Sequence, residues 1–326
     1  VDILVFGGGL VLLIGGAWVL ITGGIRVAAA LGLPAVVVGL TVVACGTSAP
    51  ELFVSILGAA SGSTGLVLGN VIGSNVANLG LILGLAAIIR PVVVERRLAS
   101  TEVPFMLVVS IAFAAMTWDG TLGRMDAAIL VACFVGFMVW TFRNRDRGLM
   151  VAVPDCPPVP AGHKLREVLL GSGLVALGVV GLAGGGHLIV KAAVRIAVGF
   201  GVSETLVGLT MVAVGTSLPE LATTIVAAIR KEDDLAVGNI IGSNIFNILA
   251  VAGPVGLYWR LNIEGPQTPL AGVPLHPSGN QVQLLSMVVL AALTLGLVLA
   301  GRGRVGRRSG WLLLAAYVGT MVLWTT

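Results

Sequence analysis

An all-α integral membrane protein, with ten transmembrane helices arranged as two inverted five-helix repeats, is the fold class the sequence predicts. Three observations predict it. Of 326 residues, 57% are hydrophobic and only 10% are charged, whereas about a quarter of an average soluble domain is charged. Apolar runs approaching the ~20 residues that span a hydrocarbon core recur ten times. A motif-bearing stretch of the first half returns in the second with a constant offset of 169 residues. The composition excludes a soluble enzyme, a disordered chain and a nucleic-acid binder. The net charge of +4 is read as loop arginines of a membrane protein, not as a basic patch.

The spans are expected near 3–22, 34–60, 66–89, 101–117, 125–142, 167–190, 203–229, 235–259, 281–301 and 310–325. The first carries Asp2 and no basic start, so it reads as a retained span, not a cleaved leader. The fourth and the last are the shortest. With the N-terminus outside, 15 of the 19 Lys and Arg fall on inside loops: Arg26, Arg90, Arg96, Arg97, Arg143, Arg145, Arg147, Lys164, Arg166, Arg230, Lys231, Arg302, Arg304, Arg307 and Arg308. Only Arg124, Lys191, Arg195 and Arg260 are left outside. Such an excess marks the cytoplasmic side. Both termini then face out and the loop 143–166 faces in. That loop holds Pro154, Pro157, Pro158 and Pro160 and reads as a linker. The division is a first repeat over 1–142, a cytoplasmic linker over 143–166 and a second, inverted repeat over 167–326. Cys45, Cys133 and Cys156 are too few and scattered for a disulfide framework or a zinc site, and read as small apolar residues.

The repeat is dense. Residues 39–51 read GLTVVACGTSAPE and 208–220 read GLTMVAVGTSLPE; 69–78 read GNVIGSNVAN and 238–247 read GNIIGSNIFN. Between 32–85 and 201–254, 24 of 54 positions are identical, and Arg26 aligns with Arg195. Five spans per copy means that the second copy enters from the opposite side. Inverted repeats of this kind place an ion site at the midplane where they meet.

Glu51 and Glu220 are the acidic residues placed deep in the hydrocarbon, and they are symmetry mates. A carboxylate there costs several kcal/mol and marks function by default. Each follows a proline, Pro50 or Pro219, which removes a helix hydrogen bond and clashes with the carbonyl four residues back, at Gly46 or Gly215. Helices 2 and 7 should therefore break at the midplane and free carbonyl oxygens. Thr47 and Glu51, like Thr216 and Glu220, are four apart and share a helix face. Ser48 and Ser217 adjoin them. Asn70, Ser74 and Asn78, and their mates Asn239, Ser243 and Asn247, form a polar stripe on the next helix. Two stripes meeting two Glu make a cage of carboxylate, amide, hydroxyl and carbonyl oxygens. Hard oxygen donors suit Ca²⁺, and no Cys or His repeats to suit a softer metal. Two carboxylates balance one Ca²⁺ in formal charge, and the neutral oxygens can hold Na⁺. The small-xxx-small pairs Gly69/Gly73, Gly80/Gly84 and Gly238/Gly242 should permit close helix contact. His187 aligns with Trp18 and reads as packed or water-facing.

On these motifs the chain resembles the sodium/calcium exchanger family of the cation/calcium antiporter superfamily. Residues 39–84 and 208–253 are similar to its paired alpha repeats, and the short central loop to its compact prokaryotic members. The resemblance implies a secondary antiporter, not an enzyme, that exchanges Na⁺ for Ca²⁺ by alternating access. Glu51 and Glu220 would be central Ca²⁺ ligands, joined by Thr47 and Thr216. The Ala44 and Ala213 carbonyls, with Ser48, Ser74, Ser217 and Ser243, would complete flanking Na⁺ sites. Asn78 and Asn247 would border the middle. Asn247 stands where some relatives, potassium-dependent ones among them, have Asp, which weakens any case for potassium dependence. The first and sixth helices would slide over the other eight, with Gly7–Gly9, Gly15, Gly16 and Gly184–Gly186 as smooth surfaces.

Ca²⁺/H⁺ exchange by the same fold is the rival reading; a cage rich in hydroxyls and amides favours Na⁺. Serine hydrolysis would need a base beside Ser48 or Ser217, and the only His within a span, His187, has no repeated mate. A passive channel would show no counterflow. The expected partners are the bilayer, Ca²⁺ and Na⁺ (or H⁺), with no other cofactor, nucleic acid or obligatory protein. The expected location is a bacterial or archaeal cytoplasmic membrane.

Overall fold

The computed structural model describes residues 2–144, 163–199, 215–262 and 277–325. In chain order the helices are α1 (Asp2–Leu31), α2 (Ala35–Thr47), α3 (Ala49–Ala60), α4 (Thr64–Ile89), α5 (Leu98–Met116) and α6 (Arg124–Arg143), then α7 (Lys164–Gly199), α8 (Leu218–Ile229), α9 (Asp233–Tyr258), α10 (Pro277–Ala300) and α11 (Arg307–Thr325). Among the described residues seven helices are long and apolar enough to cross a membrane. An eighth span is broken: α2 and α3 meet at 42°. Helix α8 is the mate of α3 and has the same length of 12 residues, and most of the segment before it lies outside the described residues, Ala213 included.

Nine of the ten expected spans coincide with described helices, the first part of the seventh (203–229) lies outside the described residues, and two helices are longer than expected. α1 runs nine residues past 22, and α7 runs to Gly199 and not to 190. Arg26, Lys191 and Arg195, assigned to loops, therefore sit in helices. The two arginines pair there: Arg26 reaches Glu167 at 3.9 Å and Arg195 reaches Asp2 at 3.4 Å. The two symmetry-related arginines thus tie α1 and α7 together at both ends. Ion pairing let apolar helices extend past the point where charge alone suggested a loop.

The inversion is visible in contacts. Arg90, at the end of α4, donates to Asp233 at the start of α9 at 2.7 Å. Thr64, at the start of α4, donates to the Asn262 carbonyl just past α9 at 2.9 Å. The two helices that carry the same motif are therefore antiparallel. Four two-residue strands, which the sequence did not announce, repeat the relation. β1 (Val92–Val93) pairs with β4 (Arg304–Val305), and β2 (Thr121–Leu122) with β3 (Leu261–Asn262), both antiparallel. In each ribbon the strand after the motif helix of one copy joins the strand before the last helix of the other.

Two apolar clusters organise the interior. One is built on α4, α5, α6, α9, α10 and α11, with Phe113, Leu79 and Met106 fully buried. The other joins α1 and α7 to α2, α8 and the start of α9 through Leu20, Ile21, Leu182 and Val226. The α1–α7 contact is glycine-packed. A Cβ on Gly16 would meet the Leu182 nitrogen at 2.7 Å, one on Gly178 the Leu20 nitrogen at 2.6 Å, and one on Gly185 the Leu13 nitrogen at 2.5 Å. Of the glycines expected as sliding surfaces, Gly186 faces the helices outside the pair, where a Cβ would stand 3.6 Å from the Gly215 carbonyl oxygen. Gly9, Gly16 and Gly185 seat the two helices on each other, while Gly7, Gly8 and Gly15 meet nothing within 4 Å. Close backbone approach is what small residues give a helix pair in lipid, where no hydrophobic driving force separates helix from tail. Of the other small-residue pairs, Gly80, Gly84, Gly238 and Gly242 make close contacts, whereas Gly69 and Gly73 have open space. Cys45 and Cys133 are exposed, which among apolar outward-facing neighbours places them toward lipid and not in the core; Cys156 lies outside the described residues.

Candidate functional site

The break between α2 and α3 falls at Ser48, between the residue losing its acceptor role, Gly46, and Pro50. Ser48 has φ −84° and ψ 5°, and its mate Ser217 has φ −86° and ψ 0°. Proline tolerates the first turn of a helix because its missing N–H would be unpaired there. Glu51 and Glu220 consequently stand in the first turns of α3 and α8. The exposed amides of a helix N-terminus favour a negative charge at that place.

Both carboxyl groups are buried to within 1% of their surface. The turn that ends in Glu51 and the Glu220 carboxyl meet across the repeats through Ser48. Among the described residues neither carboxyl group has a basic partner, and no cluster of three or more acidic, His or Cys side chains forms there. Ser48 Oγ donates to Glu220 Oε1 across the repeats at 3.1 Å. Among the described residues no hydrogen bond of ordinary geometry reaches either Glu51 oxygen, Glu220 Oε2 or Ser217 Oγ, although Thr216 stands beside Glu51. All four side-chain amide atoms of Asn78 and Asn247 are likewise buried and unpaired. An unpaired buried polar group costs about 1–3 kcal/mol, and more when charged. A cluster of them around two carboxylates is what a cation would satisfy.

The stripe on the motif helices divides into two roles that the sequence did not separate. Asn70 Nδ2 donates to the Glu51 carbonyl at 3.1 Å and to Ser55 Oγ at 3.0 Å. Its mate Asn239 donates to Thr224 Oγ1 at 3.3 Å and accepts from Thr47 Oγ1 at 3.0 Å. These two Asn brace the broken helices. Thr47 Oγ1 also lies 3.4 Å from Ser243 Oγ and 3.3 Å from the Ala44 carbonyl oxygen, the longer alternative for its one hydroxyl hydrogen. Ser74, Asn78, Ser243 and Asn247 sit one and two turns further along, all buried. Ser55 and Thr224 were not singled out in the sequence. Their signal was available: hydroxyls at repeat-equivalent positions, one turn beyond each Glu. The stripes end in π-helical turns, Ala77–Ile82 and Asn247–Ala252, a distortion frequent at functional sites. No residue pattern announced it.

Glu102 is a third wholly buried acid, but it is paired with Arg97 at 3.1 Å and lies outside this cluster. A cavity of about 90 Å³ borders Ser217, between Gly73 and Ala77 of α4 and Tyr317 and Trp324 of α11.

The family model described as "Sodium/calcium exchanger protein" matches residues 1–143 and 170–326. The chain belongs to the sodium/calcium exchanger family. A solved structure of the sodium-calcium exchanger NCX_Mj, soaked with Na⁺ and no Ca²⁺, superimposes with a TM-score of 0.81 at 30% identity, covering 98% of each chain. The inner membrane protein YrbG of Escherichia coli is 36% identical over 80% of this chain and 79% of its own length. The sodium/calcium exchanger MaX1 of Methanosarcina acetivorans is 29% identical over 81% of this chain and 85% of its own. The exchanger described here is an integral membrane transporter and not an enzyme, and its buried cluster of carboxylates and neutral oxygens lies where its two repeats meet.

Proposed function

We propose that this chain is a Na⁺/Ca²⁺ antiporter of a prokaryotic cytoplasmic membrane, working by alternating access. One observation carries the reading: two buried carboxylates with no basic partner among the described residues, ringed by unpaired neutral oxygens. Glu51 and Glu220 are the Ca²⁺ ligands, with Thr47 and Thr216 beside them. Ser48, Ser74, Ser217, Ser243 and the Ala44 and Ala213 carbonyls serve Na⁺, and Asn78 and Asn247 border the centre. Ca²⁺ takes six to eight oxygens and favours carboxylates. Na⁺, with half the charge, is served by the hydroxyls and carbonyls. Because ligands are shared, one cargo leaves before the other enters, which is the basis of exchange.

Access alternates as α1 and α7 move together against the remaining helices. Their mutual glycine packing and two terminal ion pairs support movement as one body. The repeats are taken as 1–142 and 167–326 with the linker 143–166 cytoplasmic and both termini outside. The matched ranges 1–143 and 170–326 support that division, and the loop arginines support the orientation.

The test is radioactive calcium uptake into proteoliposomes loaded with Na⁺ and diluted into Na⁺-free medium at clamped pH. Uptake that requires the outward Na⁺ gradient and disappears in Glu220→Gln is the expected result. Uptake driven only by a proton gradient would move the function to Ca²⁺/H⁺ exchange at the same carboxylates. Equal flux without any counter-ion gradient would make the protein a channel.

A further inference from the structure

A charged contact joins the α1–α7 pair to the rest of the molecule. Arg230, the residue after α8, lies over the Trp18 ring of α1 with its guanidinium carbon 4.7 Å from the ring centroid. Its Nη1 donates to Thr22 Oγ1 at 2.9 Å and approaches the Trp18 carbonyl at 3.4 Å. Thr22 also donates to that carbonyl, at 2.8 Å. The next residue, Lys231, holds a left-handed backbone with φ 65°, a conformation that costs a non-glycine residue about 1–2 kcal/mol.

Symmetry gives this contact its meaning. In a transporter of inverted repeats, the two access states interchange the conformations of the two copies. A contact that has a mate in the other copy is remade on the opposite face when the pair moves. A contact without a mate is lost, and it favours the state in which it exists. Arg230, Trp18 and Thr22 correspond, at the offset of 169, to Ser61, His187 and Lys191. That set does not rebuild the contact: Ser61 carries a hydroxyl where Arg230 carries a guanidinium, so no cation stands opposite the His187 ring, and Lys191 replaces the Thr22 hydroxyl that accepts the bond. Ser61 bonds within its own turn, to the Gly58 carbonyl at 2.9 Å. Lys231 corresponds to Gly62, which takes its left-handed φ of 85° without strain.

We propose that Arg230 is a positioning residue for exchange: with Trp18 and Thr22 it latches the α1–α7 pair on the arginine-rich face and biases the exchanger toward the state in which that face is closed. The latch rests on the alternating-access reading above. It carries no ion itself. Its effect is on the balance between the two access states, so it acts on apparent affinity with opposite sign at the two faces.

The experiment is Na⁺-dependent Ca²⁺ flux in vesicles of both orientations, giving the apparent Ca²⁺ affinity at each face. Arg230→Ser is expected to raise the affinity at the arginine-rich face and lower it at the other, changing the ratio of the two by about two- to fivefold, the range of an exposed cation–π contact. Trp18→Leu should do the same, and the double variant should add nothing further. Arg230→Lys should restore part of the effect, because an ammonium keeps the charge but not the planar face. A merely structural role would weaken both faces together. That result, or unchanged affinities, would overturn the latch while exchange stands. Absence of Na⁺-dependent flux in the unsubstituted protein would overturn the exchange reading, and the latch with it.

Discussion

The two copies of the motif carry the same residues and use them differently. Ser48 donates to Glu220, whereas the Ser217 hydroxyl has no partner. Glu220 Oε1 accepts from Ser48, while Glu51 has Thr216 beside it and no hydrogen bond of ordinary geometry among the described residues. Around the motif the copies part: Gly62 against Lys231, Ala77 against Phe246, Trp18 against His187. Phe246 packs edge-on to Phe134, and Ala77 borders the cavity by Ser217. Where an ion needs oxygens from both sides, the copies stay alike. Where only packing is at stake, each copy fits its own neighbours.

That comparison is most severely tested at the carboxylates. Glu51→Gln and Glu220→Gln should each reduce apparent Ca²⁺ affinity on the order of 100-fold or more, since each removes half of the negative charge that faces the ion. Isothermal titration with Ca²⁺ in detergent checks this without transport. A large loss at one Glu only would break the equivalence of the copies.

The bracing amides come next. Asn70→Ala and Asn239→Ala should each cost about 10–100-fold in affinity, as do residues that hold ligands in place elsewhere. Asn239 should cost more, because it also accepts from Thr47 while Asn70 holds the Glu51 backbone. Equal losses would show that the cross-repeat bond to Thr47 carries little.

A third test separates packed from open glycines on one helix. Gly178→Val forces a side chain onto the Leu20 backbone, whereas Gly173 has nothing within 4 Å. Thermal melting should show a loss of at least about 1–3 kcal/mol for Gly178→Val. Gly173→Ala should be neutral or stabilising by up to ~1 kcal/mol through helix propensity. A neutral Gly178→Val would remove the case for the pair as one body.

The smallest effect is expected at the turn. Lys231→Gly should stabilise by up to ~1 kcal/mol, because glycine takes the left-handed φ at no steric cost. Gly62→Lys should destabilise by a similar amount, and chemical denaturation in mixed micelles reads both. If Lys231→Gly destabilised, the side chain would be holding the turn through contacts that outweigh its backbone strain.

The element order and the span positions were legible in the sequence because hydropathy is local and the repeat is ungapped. Glu51, Glu220, Pro50 and Pro219 were legible because a charge and a helix breaker in an apolar run are anomalies that need no neighbours to be seen. Helix ends were less legible. Arg26 and Arg195 read as loop residues because their partners, Glu167 and Asp2, lie 141 and 193 positions away. Asn70 and Asn239 read as part of an ion-facing stripe because helical spacing shows a shared face, not what stands opposite it. The glycines of α1 and α7 announced close packing but not its partner.

Sequence alone therefore determined that this is a membrane protein of two inverted copies with an oxygen-lined, doubly carboxylate centre. Tertiary structure alone decided the antiparallel seating of α4 on α9, the crossing of Ser48 to Glu220, the division of the stripes into bonded amides (Asn70, Asn239) and buried amides without a partner among the described residues (Asn78, Asn247), and the contact of Arg230 with Trp18. The physical reason is range. Hydrophobicity, helix breaking and side-chain chemistry act within a turn or two of chain. The bonds that specify this site join residues 172, 192 and 196 positions apart, and only the folded chain brings them together.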